Sequence, residues 1–260
     1  MKKLMTGNEA IARGAYEAGV RYASAYPGTP STEILENTAS YKDNIIAEWA
    51  NNEKVALETA IGASMAGARS LAAMKHVGVN VAADPLFTFA YTGVYGGLVL
   101  VSADEPGQHS SQNEQDNRNY AKAAKIPMLE PSNSQEAKDF TKIAFDISEK
   151  YDAPVLLRMT TRVCHSKGIV ECNDREEREI IPYKKEIGKF VVVPAVARKL
   201  RVKVEERQKK LLEFSNTTEL NFIEWNDKKV GVIASGVCYS YAKEVFGDSV
   251  SYLKIGFSQP

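Results

Sequence analysis

The chain has 260 residues, 44% of them hydrophobic and 25% charged, enough for one or two domains with a full core. Its 33 Lys and Arg balance its 33 Asp and Glu, so no net field recruits nucleic acid or an anionic membrane. No apolar run reaches the length of a membrane span or of a signal-peptide core, so the expectation is a cytoplasmic protein. The three cysteines, Cys164, Cys172 and Cys238, are widely spaced without a CxxC pair, which points to free thiols and to no metal site in this stretch.

In chain order, Thr6-Gly7-Asn8-Glu9 has the form of a capping box, with Ala10, Ile11, Ala15 and Ala18 following at helical spacing. Gly19 ends that helix, and VRYASAY reads as a short strand. PGTPST breaks it, and Ser31 or Thr32 is placed to cap a helix running to about Ala39. NIIAEW is an apolar strand, Asn51–Ser70 a helix dense in small residues, and SLAAMKH a strand running into a turn at Val77-Gly78. Helix-like VAADPLFTFAY precedes the strand GGLVLVSA. A polar loop, DEPGQHSSQNEQDNRN, leads to a short helix and strand in AKAAKIPMLEPS. SQEAKDFTKIAFDISEKY is an amphipathic helix, and APVLLRMTT closes the series as a strand.

Apolar strands alternating with helices predict a doubly wound, mainly parallel α/β sheet over residues 1–170. Residues 171–227 read as a charged linker containing a solvent-facing helix. From Lys228, KKVGVIASGVCYSYAKEVFG begins a second α/β unit, which at 228–260 is expected to be cut short, because one β-α-β unit cannot bury both faces of its sheet.

Open parallel sheets bind ligands beyond the carboxyl ends of their strands. Here those exits are YPGTPST, EWANNEK, KHVGVN and SADEPGQHSSQNEQDN, and none carries a GxGxxG or GxxxxGK[ST] phosphate fingerprint. In the helix after EWANN, Ala56, Ala60, Gly62, Ala63, Ala66 and Gly67 leave little bulk. Tight packing on the sheet explains that as readily as a ligand does, and Glu53 in the first turn reads equally as a partner of the helix dipole.

Taken together, YPGTPSTEI, EWANNEKVALETAIGASMAGARS, MKHVGVNVAADPL, VSADEPGQHSSQNEQDNR and LLRMTTRVCHSKGIVE resemble the alpha subunits of the indolepyruvate ferredoxin oxidoreductases. These are thiamine-diphosphate enzymes of the 2-oxoacid:ferredoxin oxidoreductase family. The resemblance is dense over residues 3–171 and looser through VGVIASGV. It implies that the first domain binds the cofactor's pyrimidine, with Glu53 as the acid that exchanges a proton with the aminopyrimidine ring nitrogen. Glu48 and Glu58 are the rival carboxylates. It further places Tyr26, Pro27, Gly28 and Thr29 at the cofactor, and Thr29, Lys75, His76 and His109 towards the substrate. His165, near Arg162, is read as structural or as part of a subunit contact.

Pyruvate-specific relatives set an arginine for the substrate carboxylate on the helix matching 79–92. VNVAADPLFTFAYT has none and offers Phe87, Phe89 and Tyr91, rings that belong either to an aryl pocket, with Phe87 foremost, or to the core. The implied activity is oxidative decarboxylation of arylpyruvates, indole-3-pyruvate above all, to the acyl-CoA with ferredoxin as electron acceptor. A pyrimidine-domain subunit of another 2-oxoacid oxidoreductase or of a non-oxidative decarboxylase, and a non-catalytic α/β scaffold subunit, are the alternatives.

The implied partners are a beta subunit, a diphosphate-binding domain and further copies in an oligomer. The family's Gly-Asp-Gly segment for Mg²⁺ and diphosphate has no match here, Gly247-Asp248-Ser249 being the nearest string. Mg²⁺ and the 4Fe-4S clusters are therefore expected in parts beyond this chain, which alone is expected to be inactive.

Overall fold

The computed structural model describes residues 1–260. It opens with a strand the sequence reading lacked, β1 (Lys2–Thr6), followed by α1 (Gly7–Glu17). The Thr6 hydroxyl accepts from the Glu9 N–H while the Glu9 carboxylate accepts from the Thr6 N–H, so the expected capping box is formed. Then come β2 (Tyr22–Ala25), α2 (Thr32–Thr38), β3 (Ile46–Trp49), α3 (Glu53–Met65), β4 (Ser70–Lys75), α4 (His76–Val81), α5 (Ala83–Thr92) and β5 (Leu98–Asp104). After a loop follow α6 (Arg118–Ala124), β6 (Met128–Leu129), α7 (Ser134–Tyr151), β7 (Val155–Thr160), α8 (Thr161–His165) and β8 (Lys167–Glu171). The remainder holds α9 (Ile187–Phe190), α10 (Pro194–Thr217), β9 (Asn221–Glu224), β10 (Gly231–Ser235), α11 (Val237–Phe246), β11 (Ser251–Ile255) and β12 (Phe257–Gln259).

The main sheet has seven strands in the order β3-β2-β4-β5-β7-β6-β12. All its neighbours run parallel except β12, which is antiparallel to β6. Both faces are covered, as near-continuous apolar strands require. Leu71, Ala73, Val99, Val101, Val155 and Leu157 pack with α1, α2 and α7 on one face. The alternate residues Ala72, Met74, Leu98, Leu100 and Leu156 pack with α3, α4, α5 and α6 on the other. This is the doubly wound α/β sheet that the alternation of strands and helices predicts.

Several local expectations change. The helix read over Asn51–Ser70 spans only Glu53–Met65, because Gly67 turns the chain with φ 91° and the Ala/Gly pattern hides that boundary. The expected turn at Val77-Gly78 is instead helical, since His76 begins α4 directly after β4. Ser31 occupies the N-cap position of α2 without capping it; its hydroxyl donates to the Gly28 carbonyl at 2.8 Å. The stretch 171–227 contains β9, which joins β10 and β11 in a separate three-stranded sheet. SYLKIGFSQP, read as one strand, forms two, and the second crosses back to edge the main sheet. Neither crossing carries a local signal, because pairing partners far apart in sequence decide it.

Candidate functional site

Within the main sheet the chain goes outward from β2 to β3 and then returns to the opposite side of β2 to form β4. Such a reversal opens a crevice at the carboxyl ends of β2 and β4. The loop Tyr26–Thr29 leaves β2 there. Its underside is anchored: the Gly28 N–H donates to the Thr32 hydroxyl at 2.9 Å, and the Pro30 carbonyl accepts from the Asn8 amide at 2.8 Å. Its outer face presents Tyr26, Pro27 and Thr29 to solvent. Gly28 lies on the stem of Lys75, where a Cβ would stand 3.2 Å from the Lys75 Cβ.

Glu53 is the first residue of α3, behind the N-cap Asn52, whose side chain accepts from the Val55 N–H. Asn52 takes the capping role, so Glu53 is left over. Its half-buried carboxyl enters no side-chain hydrogen bond or salt bridge, whereas neighbouring Lys54 is occupied by Glu58 and Asp84. That carboxyl rests on the backbone of Gly78 in α4, where a Cβ would come within 2.6 Å of the Glu53 Cγ. The rivals are engaged elsewhere: Glu48 accepts from the Tyr22 hydroxyl at 3.1 Å on the edge strand, and Glu58 is exposed beside Lys54. The small residues of α3 divide the same way. Ala56 and Ala60 face the sheet, while Gly62 stands on the outer face with nothing within 4 Å. Packing on the sheet accounts for the first two and leaves Gly62 unexplained.

Lys75 ends β4 with its ammonium 3.3 Å from Glu105. Glu105 is 1% exposed and also accepts from the Ser110 N–H and hydroxyl and from the Ser111 hydroxyl. Burial works against its charge, but the Ser110 donors and Lys75 outweigh it and hold the carboxyl below its ordinary range. His76 is fully buried, with Nε2 at 3.1 Å from the Asn113 carbonyl, so the proton sits on Nε2. The His76 carbonyl accepts from Gln115 and Asn117. His76 thus fastens the loop 105–117 to the sheet and does not face the open crevice. His109 sits on the exposed part of that loop, bordering a different hollow from the one beside Glu53.

Among the aromatic candidates, Phe89 is core at 3% exposed, and the Tyr91 hydroxyl accepts from Arg201 on α10 at 3.1 Å. Phe87 is exposed on α5. His165 lies 3.8 Å from Glu33 at the surface. The carboxyl edge of β2 and β4 therefore carries the loop Tyr26–Thr29 on Lys75, and Glu53 on Gly78, the latter a residue that sequence reasoning missed.

Also missed is a buried charge network. Asp104 accepts from Arg158 at 2.7 Å, from the Asn117 N–H at 3.0 Å and from Ser102 at 2.9 Å, and Arg158 donates on to Glu130 at 2.6 Å. Burial pushes the Asp104 carboxyl up despite these donors. The signal was present in the sequence: one arginine inside the otherwise apolar APVLLRMTT.

Residues 13–217 match the family described as pyruvate flavodoxin/ferredoxin oxidoreductase, thiamine-diphosphate-binding. The chain belongs to this family. Indolepyruvate oxidoreductase subunit IorA of Archaeoglobus fulgidus is 51% identical over 251 residues, covering 94% of this chain and 40% of that protein. The subunit of the same name from Methanothermobacter marburgensis is 47% identical over 264 residues, covering 98% and 43%. The chain thus spans about two fifths of the length of these relatives. In fold it resembles a solved 2-oxoglutarate:ferredoxin oxidoreductase from Magnetococcus marinus, at 20% identity and a TM-score of 0.78, over 98% of this chain and 54% of that one.

The residues of the crevice fit the family's cofactor. An aminopyrimidine needs one carboxyl for its ring nitrogen, and Glu53 supplies a half-buried carboxyl that the fold itself does not use. No group of three or more His, Cys, Asp or Glu side chains is arranged to hold a metal ion, and no helix is long and apolar enough to cross a membrane.

Proposed function

We propose that this chain is the pyrimidine-binding part of an indolepyruvate:ferredoxin oxidoreductase, and that Glu53 is its acid towards thiamine diphosphate. The observation that carries the reading is the unclaimed Glu53 carboxyl seated on the Gly78 backbone at the topological switch of the sheet. The names of the relatives at 47–51% identity supply the substrate class. The overall reaction is indole-3-pyruvate plus CoA plus two oxidised ferredoxins, giving indole-3-acetyl-CoA, CO₂, a proton and two reduced ferredoxins.

Thiamine diphosphate, when bound, supplies the carbanion chemistry by which a 2-oxoacid loses CO₂. The residues of this chain bind and orient. Glu53 holds the aminopyrimidine and shares a proton at its ring nitrogen. Tyr26, Pro27 and Gly28 form the wall beside it, and the exposed Thr29 hydroxyl bonds the substrate's carboxylate or carbonyl. Lys75, held at the crevice by Glu105, supplies the positive charge for the carboxylate in place of the arginine of pyruvate-specific relatives. Phe87 offers a ring to the aryl group. His76 and His109 act on the loop 105–117 more than on the substrate.

Mg²⁺, the diphosphate and the 4Fe-4S clusters belong to a diphosphate-binding domain and further segments, with a beta subunit as partner. Residues 221–255, which hold β9, β10, α11 and β11, belong to a second α/β unit, while β12 edges the main sheet. The edge strand β3 supports a partner on this side, since it leaves Ile46 and Trp49 exposed, as α3 leaves Gly62 open.

The test uses the assembled oxidoreductase. Indole-3-pyruvate should reduce ferredoxin in the presence of CoA far faster than 2-oxoglutarate or pyruvate does. Glu53→Gln should lower kcat by about two orders of magnitude or more and weaken thiamine diphosphate in calorimetry, with the melting temperature retained. Full activity of Glu53→Gln would leave this chain a scaffold, and a preference for 2-oxoglutarate would move it to another branch of the family.

A further inference from the structure

A second hollow, of about 390 Å³, lies at the other half of the sheet's carboxyl edge, where β10 and α11 close against β6 and β7. That is within the size range of small-molecule sites. Its walls bring together Glu130, Arg158, Thr160, Arg162, Gly236 and Tyr241.

One wall lacks a cation. Glu130 is 2% exposed; its Oε1 accepts from Arg158, but its Oε2 has no hydrogen-bond partner. The buried Thr160 hydroxyl has none either. Arg158 and Thr160 are two residues apart on β7 and so face the same side. Asp104, Glu130 and Asp116 surround the two guanidiniums of Arg158 and Arg118. Asp116 and Arg118, both more than two fifths exposed, balance each other. The buried carboxylates Asp104 and Glu130 share the single guanidinium of Arg158 and leave one negative charge in excess, which is costly where water is excluded.

The facing wall lacks an anion. α11 has ten residues and starts behind Gly236, and no side chain caps it, so its first N–H groups and the positive end of its dipole are open. Arg162 stands exposed at the rim beside it. The two walls are close together: a Cβ on Gly236 would lie 4.0 Å from the Glu130 Cβ.

A ligand that satisfies both walls carries an anionic group and, a few ångströms away, a cationic donor. We propose that this cavity binds a free α-amino acid. Its carboxylate meets the N-terminus of α11 and Arg162, its ammonium meets Glu130 Oε2 and the Thr160 hydroxyl, and its side chain lies along Tyr241. A phosphate or a simple carboxylate satisfies only the α11 wall and is repelled by the excess charge opposite. A simple amine satisfies only the Glu130 wall. The proposal is independent of the thiamine reading, since none of its residues borders the crevice at Glu53.

The test is calorimetry on the 260-residue chain with L-tryptophan, L-phenylalanine and L-leucine, and with indole-3-acetate and tryptamine, each of which keeps the indole ring and only one of the two charges. At least one amino acid should bind. Indole-3-acetate and tryptamine should each bind at least about tenfold more weakly than L-tryptophan or the tightest amino acid of the panel, the loss expected for one charged hydrogen-bonding group. Glu130→Gln should weaken the amino acid by a similar factor and Thr160→Val by less. Where Glu130→Gln fails to fold, the ligand series on the unaltered chain decides alone. No heat from any of the three amino acids, or indole-3-acetate binding as tightly as the best of them, would overturn the proposal.

Discussion

At the scale of single residues, the position of one carboxyl depends on the absence of one side chain. A methyl group on Gly78 would meet the Cγ, Oε1 and Cδ of Glu53 at 2.6, 2.7 and 2.9 Å. These atoms are the far end of a flexible side chain, so Gly78→Ala displaces the carboxyl by rotation and leaves the core untouched. Alanine also suits a helix better than glycine, by about 1 kcal/mol. The expected outcome is a melting temperature unchanged or slightly raised, with a loss of thiamine diphosphate binding comparable to that of Glu53→Gln. Because both changes act through the same carboxyl, the double variant Gly78→Ala with Glu53→Gln should lose little beyond either single one. Additive losses in that cycle would mean that Gly78 acts by some route other than Glu53. The sequence shows why only half of this was legible: the position of Glu53 in the first turn of a helix is a local pattern, but its contact with Gly78 joins elements separated by a whole strand.

At the scale of elements, the loop 105–117 is fastened from three sides. Glu105 gathers Lys75, Ser110 and Ser111; His76 holds the Asn113 carbonyl; Asn117 donates to the His76 carbonyl and accepts nothing from solvent in its buried position. From Asn117 the chain of contacts runs through Asp104 and Arg158 to Glu130, joining the loop 105–117 to the second hollow beneath the strand ends. The polar composition read from the sequence shows a loop here and nothing of this anchoring, because composition does not reveal where buried donors find their acceptors. Arg158→Met tests the network. It removes the one guanidinium that serves both Asp104 and Glu130, leaving two buried carboxylates uncompensated, and should cost about 3–5 kcal/mol in urea unfolding. Adding Asp104→Asn and Glu130→Gln to Arg158→Met should recover part of that loss. A loss below about 1 kcal/mol for Arg158→Met would show that the carboxylates are not held by it. The parallel strands of the main sheet and most of the helices that cover them were legible from alternating apolar strands and amphipathic helices, whereas β1, α4, β9 and β12 were not. The network was not, beyond the one anomalous arginine in APVLLRMTT.

At the scale of the whole molecule, the three-stranded sheet of β9, β10 and β11 is tied to the main sheet through β12 and through one buried cation. Lys254 on β11 is 1% exposed, with its ammonium against Glu136 of α7 and over the rings of Phe140, Phe222 and Tyr239 at 5.8, 5.7 and 5.0 Å. Burial pulls its pKa from 10.5 down to about 8. In the unfolded chain the same ammonium is free and keeps its ordinary value. Between these two values the unfolded state binds the extra proton, so this group makes folding more favourable as pH rises through the window, by at most about 1.4 kcal/mol per pH unit. Below pH 8 both states are protonated, and the group adds no pH dependence. Lys254→Met removes the titrating group while keeping an apolar stem among the three rings. The stability of the native chain relative to Lys254→Met, from paired thermal melts, should therefore be flat up to about pH 8 and climb from there towards pH 10.5. Taking the difference between the two proteins cancels the tyrosines that titrate at the top of the range. A difference that falls or stays level across the window would mean that Glu136 and the rings hold the lysine charged at its ordinary pKa, and that charge, not burial, governs how the small sheet docks.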